Sequence, residues 1–163
     1  MKERISKKKE STISANKSEK LREKAETEVK QTLSRLKGKN KKENSSDQDT
    51  EKLKEVIVAG MQEKKASHIT IIDLKGIKNA VADYFILCTG NSNTQIDAIS
   101  DSVEEEVIKS LSLNPWRKEG KENKEWVLLD YVDVVAHVFK EDKRKFYALE
   151  ELWGDAKIIN IEG

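Results

Sequence analysis

Asp130 and Asp133 are the residues whose type and spacing come nearest to chemistry. Two carboxylates flanking one bend could together hold a divalent cation. Nucleotidyl transfer needs more: carboxylates projecting together from a strand, usually at i and i+2, with a glycine-serine turn for the phosphates. Here the spacing is i, i+3 across a turn, and the turn after the second expected strand lacks a second carboxylate set. Turn-forming aspartates, or acids on a binding surface, are the favoured reading. A nucleotide-binding or nucleotidyltransferase-like enzyme using Asp130 and Asp133 is the alternative. The loop Gly90-Asn91-Ser92-Asn93-Thr94-Gln95 stands where a helix N-terminus could hold an anion. Its one glycine is too few for a dinucleotide fingerprint, and no lysine follows at the P-loop position. Ordinary capping by Ser92 accounts for the loop.

Nucleophilic chemistry finds no support either. His137 alternates with Val135 and Phe139 and so shares their strand face, where a hydrogen-bonded structural role is expected. Cys88 lies inside an apolar strand and reads as a small core residue. His68 precedes a strand and shows no partner. One cysteine permits neither an internal disulfide nor a cysteine-based metal site. The aromatics are more suggestive. Trp116, Trp126 and Tyr131 cluster around a hairpin and a bend, where an edge strand is exposed, and Trp and Tyr anchor protein interfaces. Trp153 and Phe146, at helical spacing, read as core.

The elements that must position these residues follow from periodicity. A helix begins after Asp49 or Thr50, with Leu53, Val56, Ile57, Gly60 and Met61 on one stripe. Ile69 to Leu74 and Tyr84 to Thr89 read as buried strands. Ser92 and Gln95 have capping-box spacing, each side chain reaching the other's backbone N–H, ahead of a helix through about Ser112. Pro115-Trp116 opens a third strand, Trp126 to Asp130 is the fourth, Tyr131-Val132-Asp133 is a tight bend, and Val134 to Phe139 is the fifth. Asp142 caps a last helix carrying Phe146, Leu149, Leu152 and Trp153, and Gly154 suits its left-handed terminus. Ile158, Ile159 and Ile161 form a short extended tail. The expected fold is α/β: a mixed sheet of about five strands with helices packed on it.

Composition divides the chain of 163 residues. Residues 1–50 hold no aromatic and only nine apolar residues, whereas 44% of residues 51–163 are apolar. The first stretch cannot offset the entropy of ordering its backbone; the second can. A largely disordered N-terminal extension over 1–49 and a folded domain over 50–163 are therefore expected. Leu21, Ala25, Val29 and Leu33 support at most a transient helix over 18–37, followed by a polar linker. Charge divides at the same place: 15 Lys and Arg against 9 Asp and Glu in residues 1–50, but 16 against 21 in residues 51–163. A domain at −5 is a poor direct binder of nucleic acid and a better partner for a basic protein. The longest apolar runs fall far short of the roughly 20 residues a membrane span needs. The N-terminus has no apolar signal region and is too acidic for a transit peptide, so the cytoplasm is the expected compartment.

Three segments carry a family resemblance. The run Ala82-Asp83-Tyr84-Phe85-Ile86-Leu87-Cys88-Thr89-Gly90-Asn91-Ser92 resembles the first signature of the ribosomal silencing factor (Iojap) family. Trp126 to Phe139, with Leu128-Leu129-Asp130-Tyr131-Val132-Asp133 at its centre, is similar to the second signature, and Val132 stands where many members carry glycine. Arg144, Phe146-Tyr147, Leu149-Glu150, Leu152-Trp153 and Asp155-Ala156 match the closing helix. The similarity spans about residues 51–160, in order.

The resemblance implies a nucleotidyltransferase-like fold without the active site, and a role with neither catalysis nor cofactor. It implies binding to the large ribosomal subunit at ribosomal protein fourteen, steric blocking of subunit joining, and repression of translation under nutrient limitation. Carried over by motif, Trp126, Asp130, Tyr131 and Asp133 are candidates for the partner face, with Arg144 and Tyr147 added from the final helix. A homodimer off the ribosome and weak contact of residues 1–49 with ribosomal RNA are further expectations.

Overall fold

The computed structural model describes residues 47–161, and the helix expected over 18–37 lies outside them. Helix α1 (Asp47–Glu63) starts three residues ahead of Thr50, the earliest start expected. Asp47 and Asp49 stand in its first turn, where carboxylates meet the positive end of the helix dipole. Leu53, Ile57, Gly60 and Met61 are buried along the expected stripe. Gly60 permits a close crossing with α2 (Asn93–Leu111): a Cβ there would lie 2.8 Å from the Val103 Cα. The Ser102 hydroxyl donates to Gly60 O at 2.8 Å in the same contact.

Strand β1 (Ser67–Asp73) pairs antiparallel with β2 (Tyr84–Gly90). Likewise β4 (Trp126–Asp130) pairs antiparallel with β5 (Val134–Lys140). Parallel pairing of β2 with β5 joins these two hairpins. With β3 (Arg117–Glu119) and β6 (Lys157–Asn160) at the edges, the order is β3-β4-β5-β2-β1-β6. The mixed α/β sheet stands as expected, but with six strands and not five. Ile158 and Ile159, read from the sequence as a short extended tail, are a sheet strand and pair with Ile72 and Ile71. The third strand opens at Arg117 and not at Pro115-Trp116; the Trp116 N–H instead donates to Asp130 O at 2.7 Å, just outside the ladder.

The sheet is packed on both faces. Helices α1 and α2 cover one, meeting Ile71, Ile86, Leu129, Ala136 and Val138. The other holds Phe85, Leu87, Leu128, Val135 and Phe139 under Leu149, with Trp126, Tyr147 and Trp153 half-buried at its margin.

Two connections depart from expectation in instructive ways. The Ser92 hydroxyl accepts the Gln95 N–H at 3.1 Å, as a capping box requires. The return bond goes one residue further back: Gln95 Oε1 accepts the Asn91 N–H at 2.7 Å. Gln95 Nε2 donates to the carbonyls of Lys64 and Lys65, tying the end of α1 to the start of α2. Gly90 serves packing as well, since a Cβ there would lie 2.7 Å from Ile96 Cγ1.

The last helix is split into α3 (Glu141–Tyr147) and α4 (Leu149–Leu152) by Ala148, whose φ is +45°. Lys140, not Asp142, stands at the N-cap of α3 and makes no side-chain cap bond. Gly154 does not adopt positive φ; Ala148 takes the left-handed place expected of it. The break buries Leu149 and turns Phe146 out to 42% exposure, so Phe146 is not core.

Candidate functional site

Trp126 opens β4 opposite Phe139 of β5, and the two rings stack with centroids 5.0 Å apart. Tyr147 of α3 closes on the indole at 4.7 Å, and Phe146 meets Tyr147 edge-on at 5.2 Å. The Trp126 Nε1–H donates to His137 Nδ1 at 3.0 Å. His137 is fully buried, with Phe85 edge-on at 4.8 Å and Phe139 at 6.0 Å. Burial pushes its pKa down to about 3, so the imidazole is neutral. With Nδ1 accepting, the ring proton sits on Nε2, whose N–H has no partner. A general base needs a pKa near working pH and reach to a substrate proton. His137 instead fixes an indole, as the strand pattern indicates.

Arg144, three residues before Tyr147, points the other way, toward β1 and β2. Its Nε and Nη2 donate to Glu150 Oε1 at 3.0 and 2.7 Å, Nη1 to Thr89 Oγ1 at 3.0 Å, and Nη2 to Thr70 Oγ1 at 2.9 Å. Nη1 also donates to the His68 carbonyl. All five guanidinium donors are thereby engaged within the chain. It is the His68 main-chain carbonyl, not its imidazole, that Arg144 meets, and His68 lies within β1 at a bulge, with φ +49°. Thr70, Thr89 and Glu150 were missed from the sequence; the one signal was a threonine interrupting each of two apolar strands.

Asp130, Tyr131 and Asp133 lie at the far end of β4, roughly 13 Å from Trp126 at strand rise. The six candidates therefore do not form one patch: Trp126 with Tyr147 is one group, Asp130, Tyr131 and Asp133 another, and the Arg144 side chain turns away from both toward β1 and β2. Asp130 Oδ1 accepts the Val132 N–H at 2.8 Å. That carboxyl is buried, which raises its pKa, while the Val132 N–H and nearby Arg117 pull it back. Tyr131 is also buried; its hydroxyl has no partner, and desolvation raises its pKa. Of the three aromatics expected at an exposed edge, Trp116 is exposed, Trp126 half-buried and Tyr131 buried.

The bend itself is strained. Val132 has φ +75°, and the Asp133 N–H donates back to Tyr131 O at 3.0 Å, an i to i+2 closure. A β-branched residue in the left-handed region costs about 1–3 kcal/mol and persists only where surroundings over-determine it. Here they do: the Tyr131 N–H donates to Val134 O at 2.9 Å, and Asp133 O accepts the Asp83 and Tyr84 N–H groups at 2.8 and 3.2 Å.

Elsewhere, Cys88 is fully buried and its thiol is pushed up to about 12, which makes it inert. Among the described residues, no group of three or more His, Cys, Asp or Glu side chains could hold a metal ion. No helix among them is long and apolar enough to cross a membrane.

The geometry is that of an α/β domain presenting an aromatic strip and a rigid acidic bend. The family model described as "Ribosomal silencing factor during starvation" matches residues 47–163, and the chain belongs to that family. A ribosomal silencing factor of Halalkalibacterium halodurans is 40% identical over 113 residues, covering 69% of this chain and 95% of the relative. That of Bacillus subtilis is 38% identical over 107 residues, 66% of this chain and 89% of the relative. The chloroplastic protein Iojap of Zea mays is 42% identical over 78 residues, 48% of this chain and 33% of that one. A Chromobacterium violaceum crystal structure superposes with a TM-score of 0.60 at 30% identity, covering 69% of this chain and 92% of that one. A Bacillus halodurans crystal structure gives 0.57 at 34% identity, covering 69% and 99%.

Proposed function

We propose that this protein binds the large ribosomal subunit at ribosomal protein fourteen and, by occupying space there, prevents the small subunit from joining. Translation then falls when nutrients are scarce. The observation that carries the reading is the family match across residues 47–163, which takes in every described element. The role is non-catalytic and cytoplasmic.

The domain's charge suits the partner. Residues 51–163 carry −5, which draws a basic protein and disfavours misplaced encounters with surrounding RNA. Trp126 and Tyr147 supply aromatic contact area, and Asp130, Tyr131 and Asp133 form the rigid bend. Arg144 acts through α3, holding Tyr147 in place. A stable interface buries roughly 1,200–2,000 Å², which a domain of this size can supply. Off the ribosome the chain pairs with a second copy, and residues 1–49 add weak, salt-sensitive contact with ribosomal RNA.

The test is gradient sedimentation of the full chain with separated subunits, paired with light scattering of subunit joining. Co-migration with the large subunit and suppressed joining are expected. A chain that stays at the top of the gradient while joining proceeds normally refutes the reading.

A further inference from the structure

We infer that the N-terminal extension folds back on its own domain: the apolar stripe Leu21, Ala25, Val29 and Leu33 covers an exposed apolar patch formed by Ile108, Leu113 and Trp116. This stands apart from the ribosomal role and needs no partner from outside the chain. The three patch side chains are 45–48% exposed, and none joins either apolar cluster, although Val107 and Leu111 beside them do. They fall close together in the chain. Ser112 ends α2 in the left-handed region, its N–H donating to Ile108 O at 2.9 Å, and the chain then turns into Leu113 and Trp116. Large apolar side chains left to water at one end of a small domain mark a contact surface.

What covers it follows from where the extension joins the domain. Helices α1 and α2 run antiparallel: Gly60 lies on Val103, and Gln95 at the start of α2 reaches the carbonyls of Lys64 and Lys65 past the end of α1. Asp47 lies about 20 Å along α1 from Gly60, and Leu111 about 12 Å along α2 from Val103 in the same direction. Residues 1–46 therefore enter the domain at the end that carries the patch. The stretch from Lys37 to Asp47 spans at most roughly 35 Å, which keeps the stripe within reach. A tether this short supplies an effective concentration on the order of millimolar, so a weak contact suffices. A narrow stripe that is marginal as an isolated helix thereby gains a surface against which to bury itself. Charge favours the same docking: residues 1–46 carry 15 Lys and Arg against 7 Asp and Glu, and residues 47–163 carry 16 against 23. With the stripe turned inward, lysines on its other side stay available to RNA phosphates.

The test is paramagnetic broadening in NMR spectra of the full chain. Cys88 is fully buried, so a nitroxide can be placed on Thr27→Cys alone, off the stripe. The amide signals of Ile108, Leu113 and Trp116 should lose most of their intensity. That of Ile158 should keep it, being exposed as well but lining a cleft with Gln62 and Lys65 at the far end of α1. Adding Leu21→Asp and Val29→Asp to the labelled chain should return the patch to the Ile158 level. Ile108→Ser with Leu113→Ser, at side chains the core does not use, should do the same when read at Trp116. Equal broadening at the patch and at Ile158 overturns the inference, as does broadening of the patch that survives either pair of substitutions. So does equal broadening when labelled chain is mixed with a separate isotope-enriched, unlabelled chain, which would make the occupant a second copy.

Discussion

The two ends of β4 are built by opposite means. At the Trp126 end, side chains do the work: Phe139, Tyr147 and the His137 acceptor pin one indole through ring contacts and one hydrogen bond. At the Asp133 end the backbone does it, with main-chain bonds locking a bend that Val132 would otherwise leave. Aromatic area confers affinity, while a preorganised bend confers shape. One short strand thus carries a surface held by side chains at its start and one held by the backbone at its finish.

The largest effect that can break this contrast lies beneath the indole. His137 has its ordinary pKa of 6.5 when unfolded and about 3 when folded, so the unfolded chain binds the extra proton between those values. Stability from neutral burial is complete above pH 6.5 and is lost as pH falls toward 3, by up to about 5 kcal/mol. Denaturant titrations across that window should show a shallower acid limb in His137→Gln than in wild type. Parallel limbs would mean that the ring is not held neutral.

Next comes the guanidinium behind Tyr147. Arg144→Leu leaves Glu150, Thr70, Thr89 and the His68 carbonyl without their donor and should lose about 3 kcal/mol in chemical denaturation. Arg144→Lys should recover less than half, having fewer donors and no planar fork. Smaller again is Trp126→Ala, expected to weaken large-subunit binding by roughly 2 kcal/mol, or about 30-fold, in sedimentation. Tyr131→Phe gives the smallest effect and the opposite sign. Removing a buried hydroxyl that has no partner should stabilise by up to about 1 kcal/mol, read as a higher denaturation midpoint. An unaltered affinity in that variant would mark Tyr131 as a prop of the bend and not a contact.

Local patterns were legible and distant partners were not. The α1 stripe and the Ser92 cap depend on residues three or four apart, which periodicity exposes. Arg144 reaches His68, Thr70 and Thr89 across 55 to 76 residues, and no spacing rule connects them. Ile158 and Ile159 looked like a tail because their partners on β1 lie nearly ninety positions earlier. Asp142 and Gly154 have the composition of helix ends, but Ala148 breaks the helix between them and burial of Leu149 outweighs the local preference. The residues named for the partner face were chosen by motif, although the strand expected over Trp126 to Asp130 already set Trp126 apart from the bend.

The parallel seam between β2 and β5 has a consequence for how the chain assembles. Tyr84 aligns with Val134, fifty positions later, whereas each flanking hairpin closes locally. That pairing is of long sequence separation, and loop closure of this length is expected to slow folding. A lesion at Ile86 or Ala136 would weaken that seam together with the hairpin each residue belongs to, since Ile86 also pairs with Ile71 and Ala136 with Leu129, and would leave strand edges open to aggregation.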